Sequence, residues 1–147
     1  MADTSVEMDA ETRDELLGRG GIGVISLSTP DKESPHSIPV SYGYDATETT
    51  LYFRLAVGAD SGKGELNGRD VSFVTYDRAD GWRSVVANGR LEDVDEESIA
   101  TETLEGLDRV DIPLVDMFDE PTRTVSFEFF RLVPEEISGR KEADIRE

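Results

Sequence analysis

The spacing of apolar residues changes at Gly18. Before it, Met8, Leu16 and Leu17 fall on one helical face, Asp9 suits an N-cap, and Gly18, Gly20 and Gly21 end the segment. After it the period is two. Ile22 to Ser28 reads as a strand, and the stretch from Pro30 to Pro35 as a turn. His36 to Tyr44 and Thr50 to Val57 are two further strands, joined by the polar turn Asp45 to Thr49. Pro39 lies inside the first of them. It has no N–H to give a ladder, so this strand is expected to be unpaired or bulged on one side there. The stretch ADSGKGELNG (59–68) is rich in glycine and has room for at most a short helix. Val71 to Asp77 alternates cleanly, Arg78 to Gly81 turns the chain, and Trp82 to Val94 is another strand region. Within it, Asn88-Gly89 is a dipeptide that usually makes a hairpin turn, although a bulge in one long bent strand also accommodates it. Asp95 to Leu107 reads as a helix, with Asp95 as its cap and Glu96 and Glu97 favourably placed in its first turn. Thr122 to Leu132 is the last strand, ended by Pro134. At least six strands, two flanking helices and no βαβ alternation predict a mainly β fold. An antiparallel barrel with appended helices satisfies that order, and a doubly wound sheet does not.

A chain of 147 residues suits one domain. Residues 1–147 are therefore read as a single unit, with 1–8 and 141–147 expected as flexible ends. Charge changes this picture more than length does. There are 33 Asp plus Glu against 15 Lys plus Arg, a formal net charge of −18. Only Lys32, Lys63 and Lys141 are lysines. Abundant carboxylates with scarce lysine resemble the surfaces of halophilic cytoplasmic proteins, in which molar salt screens self-repulsion. Phosphate-backbone binding needs a basic face, so nucleic-acid partners are excluded, as are anionic membrane surfaces. No run approaches the roughly 20 apolar residues of a membrane span. The acidic N-terminus lacks the apolar stretch of a signal peptide. Cysteine is absent, which removes disulfides and thiolate chemistry and favours a cytoplasmic location.

Catalytic residue types are few. His36 is the one histidine, and it stands beside Pro35 with no nucleophile-elbow motif nearby, so neither a hydrolytic triad nor a histidine-built metal site is expected. Enzymatic activity in such a chain points to a bound cofactor. Ser61-Gly62-Lys63-Gly64 offers a hydroxyl, mobile backbone amides and a point charge, a set that suits a terminal phosphate. It is not a Walker motif, and on the residues alone a plain polar loop fits equally well. The retention of Lys63 where lysine is rare favours the phosphate reading. Phe53-Arg54, just upstream, can place a guanidinium near this loop. Trp82-Arg83-Ser84 supplies an aromatic ring, a fork-shaped donor and a hydroxyl, with a barrel-end plug as the plainer role of Trp82.

These segments, in order, resemble the pyridoxamine 5′-phosphate oxidase-like flavin-binding proteins, and the likeness runs from about Asp9 to Arg140. It is carried by Gly23-Val24-Ile25-Ser26-Leu27, by the run from His36 to Asp45, and by Leu51-Tyr52-Phe53-Arg54. It continues through the run from Ser61 to Asn67, Val71-Ser72-Phe73-Val74, the run from Trp82 to Leu91, and Arg131-Leu132-Val133-Pro134. The resemblance implies a six- to seven-stranded antiparallel split β-barrel that forms a homodimer and holds flavin mononucleotide (FMN) in clefts between subunits. The family's phosphate grip falls on Ser61 and Lys63, with Gly62 where many members carry arginine and Arg54 as the compensating charge. The strand along the flavin ring falls on His36, Ser37, Ile38, Pro39, Val40 and Ser41. The family's arginine-glutamine pair falls on Arg83 and Ser84, beside Trp82. Gly89 aligns with a glycine inside a single strand, which favours the bulge over the hairpin.

Residues that recognise pyridoxal phosphate in true pyridoxamine oxidases have no clear counterparts here, so vitamin B6 oxidation is not expected. The reading is a flavin-dependent oxidoreductase, from a haloarchaeal source, acting on a small molecule with a nicotinamide compound as possible electron donor. The alternatives are a non-catalytic flavin-storage or sensing module and a reductase using the deazaflavin F420. No catalytic residue is assigned, and no metal is expected.

Overall fold

The computed structural model describes residues 5–28, 34–58, 66–79, 81–108 and 125–142. Among these residues the chain runs β1 (Ser5–Glu7), α1 (Ala10–Leu17), β2 (Gly20–Leu27), β3 (His36–Asp45), β4 (Thr50–Gly58), β5 (Asp70–Asp77) and β6 (Arg83–Val94). A 3₁₀ turn (Glu96–Ser98), α2 (Thr101–Asp108), β7 (Val125–Leu132) and β8 (Glu136–Glu142) follow. The strands are ordered β1-β8-β6-β5-β2-β3-β4-β7, and β7 pairs back onto β6. Every pairing is antiparallel. Six strands thus close a barrel, and β8 and β1 extend from it as a flap. No helix among the described residues is long and apolar enough to cross a membrane.

The core follows from the period-two pattern. Ile25, Leu27, Phe53, Phe73, Val85, Ala87, Leu91, Phe130 and Leu132 point inward and are almost wholly buried. Phe73 sits at the centre, its ring centroid 5.0 Å from that of Tyr42 and 5.2 Å from that of Phe53. α1 closes one end. Asp9 caps it by accepting from the Thr12 N–H at 2.8 Å, and Gly18 ends it, as the sequence leads one to expect. Two phenols tie the helix down: Tyr42 donates to the Leu17 carbonyl at 3.0 Å, and Tyr44 donates to Asp14 Oδ1 at 2.6 Å. A smaller apolar cluster of Tyr52, Ile99 and Leu107 lies under α2.

The outer side of β3, β2, β5 and β6 is set by the same alternation. One row across these strands holds Ser37, Ser26, Ser72 and Asn88, and the next holds Pro39, Val24, Val74 and Val86. The third comprises the pairs Ser41–Ile22 and Tyr76–Ser84.

Four expectations need correction. Asn88-Gly89 makes neither a hairpin nor a bulge. β6 is one long strand as expected, but its ladder to β5 runs one-for-one through Ser72–Asn88 and Val71–Gly89. What changes there is the other neighbour, β8 up to Asn88 and β7 from Leu91. Gly89 serves the crossing, because a Cβ on it would lie 2.8 Å from Leu132 Cδ1 and 3.1 Å from the Val133 carbonyl oxygen. The expected helix from Asp95 to Leu107 is two pieces. Ile99 is extended (φ −96°, ψ 130°) and buried, and Asp95 makes no side-chain cap bond. Burying this β-branched residue outweighs continuing the helix through it. β8 follows Pro134 unannounced, because its sequence EISGRKE offers Ile137 as its only strong apolar signal. Finally, parts of the expected loose ends are built into the sheet: Ser5–Glu7 pair with Arg140–Glu142.

Candidate functional site

The barrel opens where β3 and β4 separate. Their ladder covers Tyr42–Asp45 against Phe53–Thr50 and stops there. His36–Ser41 remain paired on the β2 side alone, and Arg54–Gly58 on the β7 side alone. Among the described residues the two stretches do not pair with each other, and a cleft opens where the strands part. Pro39 explains part of this. Its ladder to β2 is unbroken at Val24, so of the two outcomes expected for a strand proline it takes the unpaired edge.

The expected ring-side strand forms one wall. Ser37 and Pro39 are exposed on the outer face, and Ser37 Oγ lies 2.7 Å from Ser26 Oγ. Val40 and Ser41 are buried, and Ile38 packs partly against the core. His36 shares the inward face with Ile38 and Val40. Its Nε2 is buried with no hydrogen-bond partner among the described residues, an uncommon state for a buried polar atom.

Phe53 and Arg54 stand at the apex of the cleft and point opposite ways. Phe53 is wholly buried in the barrel core, so its side chain does not line the cleft. Arg54 points outward, its guanidinium carbon 5.0 Å from the centroid of the Phe127 ring, a cation–π contact that orients the charge. Ser61 and Lys63 lie outside the described residues; their segment continues the chain from Gly58, the end of the β4 edge.

Trp82, Arg83 and Ser84 are not brought to this cleft within one chain. Ser84 is level with Ser41 along the strands but three ladder steps away, roughly 14 Å at about 4.8 Å per step. Arg83 is engaged with Asp77: Nε donates to Oδ1 at 3.0 Å and Nη2 to Oδ2 at 2.7 Å. Nη1 also lies 4.0 Å from Glu15 Oε1, and the Arg83 side chain is only 14% exposed. The hydrogen bonds from Arg83, more than its charge, hold the Asp77 carboxyl below its ordinary pKa against the opposing effect of burial. Trp82 stacks on Tyr76, centroids 4.9 Å apart and planes 19° from parallel. Asp77, Tyr76 and Phe127 are the partners that sequence reasoning missed. For the first two a signal existed, since reading 77–83 as a hairpin places Asp77 opposite Arg83 as a cross-strand ion pair. Phe127 carried none, because β7 and β4 are distant in sequence.

The arrangement suits a planar heterocycle with an anionic tail. Backbone groups along His36–Ser41, paired on the β2 side alone among the described residues, match the polar edge of such a ring, and His36 Nε2, without a partner among the described residues, offers one more contact. Arg54 supplies positive charge at the apex. Among the described residues no group of three or more His, Asp or Glu could hold a metal ion.

The family model for pyridoxamine 5′-phosphate oxidase matches residues 9–141. Among solved structures the chain is similar to a candidate pyridoxamine 5′-phosphate oxidase of Corynebacterium glutamicum, with TM-score 0.62 and 22% identity over 100% of this chain and 99% of that one. It is also similar to an FAD-binding protein of Mesorhizobium loti (0.63, 20% identity, 95% and 98% covered). A third is the FAD-binding protein of Mycobacterium smegmatis (0.58, 18% identity, 92% and 98% covered). At these identities the likeness establishes the fold. No curated protein sequence matches the chain.

Proposed function

The chain belongs to the pyridoxamine 5′-phosphate oxidase family, and from that premise we propose that it binds FMN in the β3–β4 cleft and acts as a flavin-dependent oxidoreductase on a small molecule. The observation that carries this reading is the separation of the two strands after Tyr42–Phe53. Among the described residues β3 and β4 pair no further beyond that point, and the Ser61-Gly62-Lys63-Gly64 segment follows closely on the end of β4. Solved relatives of the same fold are described as FAD-binding proteins, which supports a flavin over an unrelated heterocycle.

In this reading His36–Ser41 hold the ring edge through backbone groups and the His36 nitrogen. Lys63 and Ser61 take the phosphate, and Arg54, fixed by Phe127, adds charge at the apex. The flavin supplies the hydride chemistry, and the chain binds and orients it. Arg83 acts through the 77–83 hairpin in its own chain, because its fork is already held by Asp77.

The test is Lys63→Ala. A charge-assisted phosphate contact is worth about 1.5–3 kcal/mol, and about 1.4 kcal/mol is a factor of ten in affinity. Fluorescence titration should show FMN binding weakened by about ten- to a hundredfold, while riboflavin, which lacks the phosphate, binds the two proteins alike. Equal FMN affinity in the variant would remove Lys63 from the site. Absorbance of the co-purified cofactor distinguishes FMN from the deazaflavin, and turnover of a nicotinamide donor distinguishes an enzyme from a storage module.

A further inference from the structure

Among the described residues, His36 Nε2 is the only side-chain nitrogen or oxygen that is buried without a hydrogen-bond partner. Leaving a polar atom unpaired away from water is costly, so such an orphan calls for an occupant or a use. The residue itself is only half-buried, so solvent reaches part of it while Nε2 stays dry. The described surroundings supply no partner. Leu27, its ladder partner, and Ile38, its neighbour on the inward face, are apolar. β2 carries no titratable or charged side chain at all. β4 contributes Tyr52, which lies under α2, and Arg54, which points outward. α2, with Glu102 and Glu105, packs at the Gly43 end of β3, roughly 23 Å along the strand at about 3.3 Å per residue. Beyond β2, Arg69 reaches the Ser28 carbonyl at 3.4 Å, and Asp70 pairs with Arg90 at 3.2 Å on the outer face.

We propose that His36 is the proton carrier of the cleft, exchanging a proton between solvent and a ring bound along β3. The inference rests on the flavin reading and deepens it. A neutral imidazole donates from one nitrogen and accepts at the other, and the charged form donates from both. It is also the side chain that changes charge near neutral pH. No other described group in the cleft can do this. The Ser37 and Ser41 hydroxyls do not titrate there, and Arg54 stays charged. Tyr42 and Tyr44 already donate to the Leu17 carbonyl and to Asp14.

When a dihydronicotinamide reduces a flavin, the donor's C–H bond breaks with its electron pair and the donor becomes a nicotinamide cation. The flavin takes up that hydride and one proton. His36 gives the proton from Nε2–H, is left neutral, and takes one back from water where solvent reaches it.

The test uses the full chain, in which every histidine signal belongs to His36, the one histidine present. Riboflavin is the first probe, because it carries the ring without the phosphate. Adding it to the ¹⁵N-labelled parent should move the Nε2 resonance in the NMR spectrum, as a new hydrogen bond does. His36→Phe should weaken riboflavin and FMN alike, by about three- to tenfold, the range of one hydrogen bond. His36→Gln, which can still hydrogen-bond, should stay within about twofold of the parent. N-benzyl dihydronicotinamide, a neutral hydride donor, is the second probe. Anaerobic reduction of bound FMN in the parent should be at least about fivefold faster at pH 6 than at pH 8, across the range in which imidazole changes charge. In His36→Gln it should be indifferent to pH over that range. Added imidazole should restore the pH 6 rate in His36→Ala and leave the parent unchanged. Circular dichroism checks that the variants fold, and the resonance is read on the parent whatever the variants do. An Nε2 resonance that ignores bound riboflavin overturns the proposal and leaves the flavin reading standing, whereas a parent that binds no flavin overturns both. A parent rate indifferent to pH overturns the proposal too, as does a pH dependence that survives in His36→Gln or a His36→Ala rate that imidazole leaves untouched.

Discussion

Tyr44 and Asp77 show opposite responses to a hydrogen-bonded neighbour. Burial, and then the bond it donates to Asp14, push the Tyr44 phenol up to about 12 from its ordinary 10.0. A group whose pKa is raised on folding stabilises fully below the unfolded value and loses that contribution as pH rises through the folded one. Stability should therefore fall between about pH 10 and 12, and Tyr44→Phe should flatten that part of the profile. At neutral pH the same variant should lose about 1 kcal/mol in urea unfolding, one hydrogen bond. Asp77 runs the other way: Arg83 lowers its pKa, so its contribution is complete above the ordinary value of 3.8 and fades as the solution becomes more acid than that. Asp77→Asn should cost about 1 kcal/mol at pH 7, discounted because part of the carboxylate stays in water. In molar salt the difference between parent and variant should shrink below pH 3.8. A constant difference down to pH 3 would mean that the hairpin, and not the ion pair, carries the effect.

Among the elements, α2 is the one whose seat depends on missing side chains. It lies directly against the backbone entering β2, where a Cβ on Gly106 would fall 1.9 Å from the Arg19 carbonyl oxygen. Such an atom cannot be relieved by a rotamer change, because the obstacle is backbone. Gly106→Ala should lift α2 and uncover Tyr52, Ile99 and Leu107, costing about 3 kcal/mol or more, the range of severe overpacking. Thermal unfolding measures this. A loss under about 1 kcal/mol would show that the helix can slide without leaving the sheet. Gly89 is the milder case, since part of its obstacle is the tip of Leu132.

At the scale of the molecule the governing quantity is the charge of −18 on 147 residues. Repulsion between surface carboxylates opposes the compact state and is screened by salt. We expect the melting temperature to rise steadily from 0.1 M to 2 M potassium chloride; a flat or falling curve removes the halophilic reading.

The sequence by itself determined whatever depends on neighbours along the chain. Period-two alternation located β2 to β7, Asp9 and Gly18 set the limits of α1, and Pro39 announced a free strand edge, because each signal acts within a few residues. The family resemblance, and no local signal, marked His36–Ser41, and β3 and β4 part just beyond Tyr42–Phe53, at the level of Ser41 and Arg54. Tertiary structure decided the rest. Only the closing of β7 onto β6 could tell that Asn88-Gly89 sits at a change of partners, since the atoms crowding Gly89 come from Leu132 and Val133. Only folding engaged Arg83 with Asp77, buried Phe53 away from the cleft and stacked Trp82 on Tyr76. Alternation tells a side chain which face of its strand it takes; which strands lie beside it, and so what that face meets, is set by barrel closure.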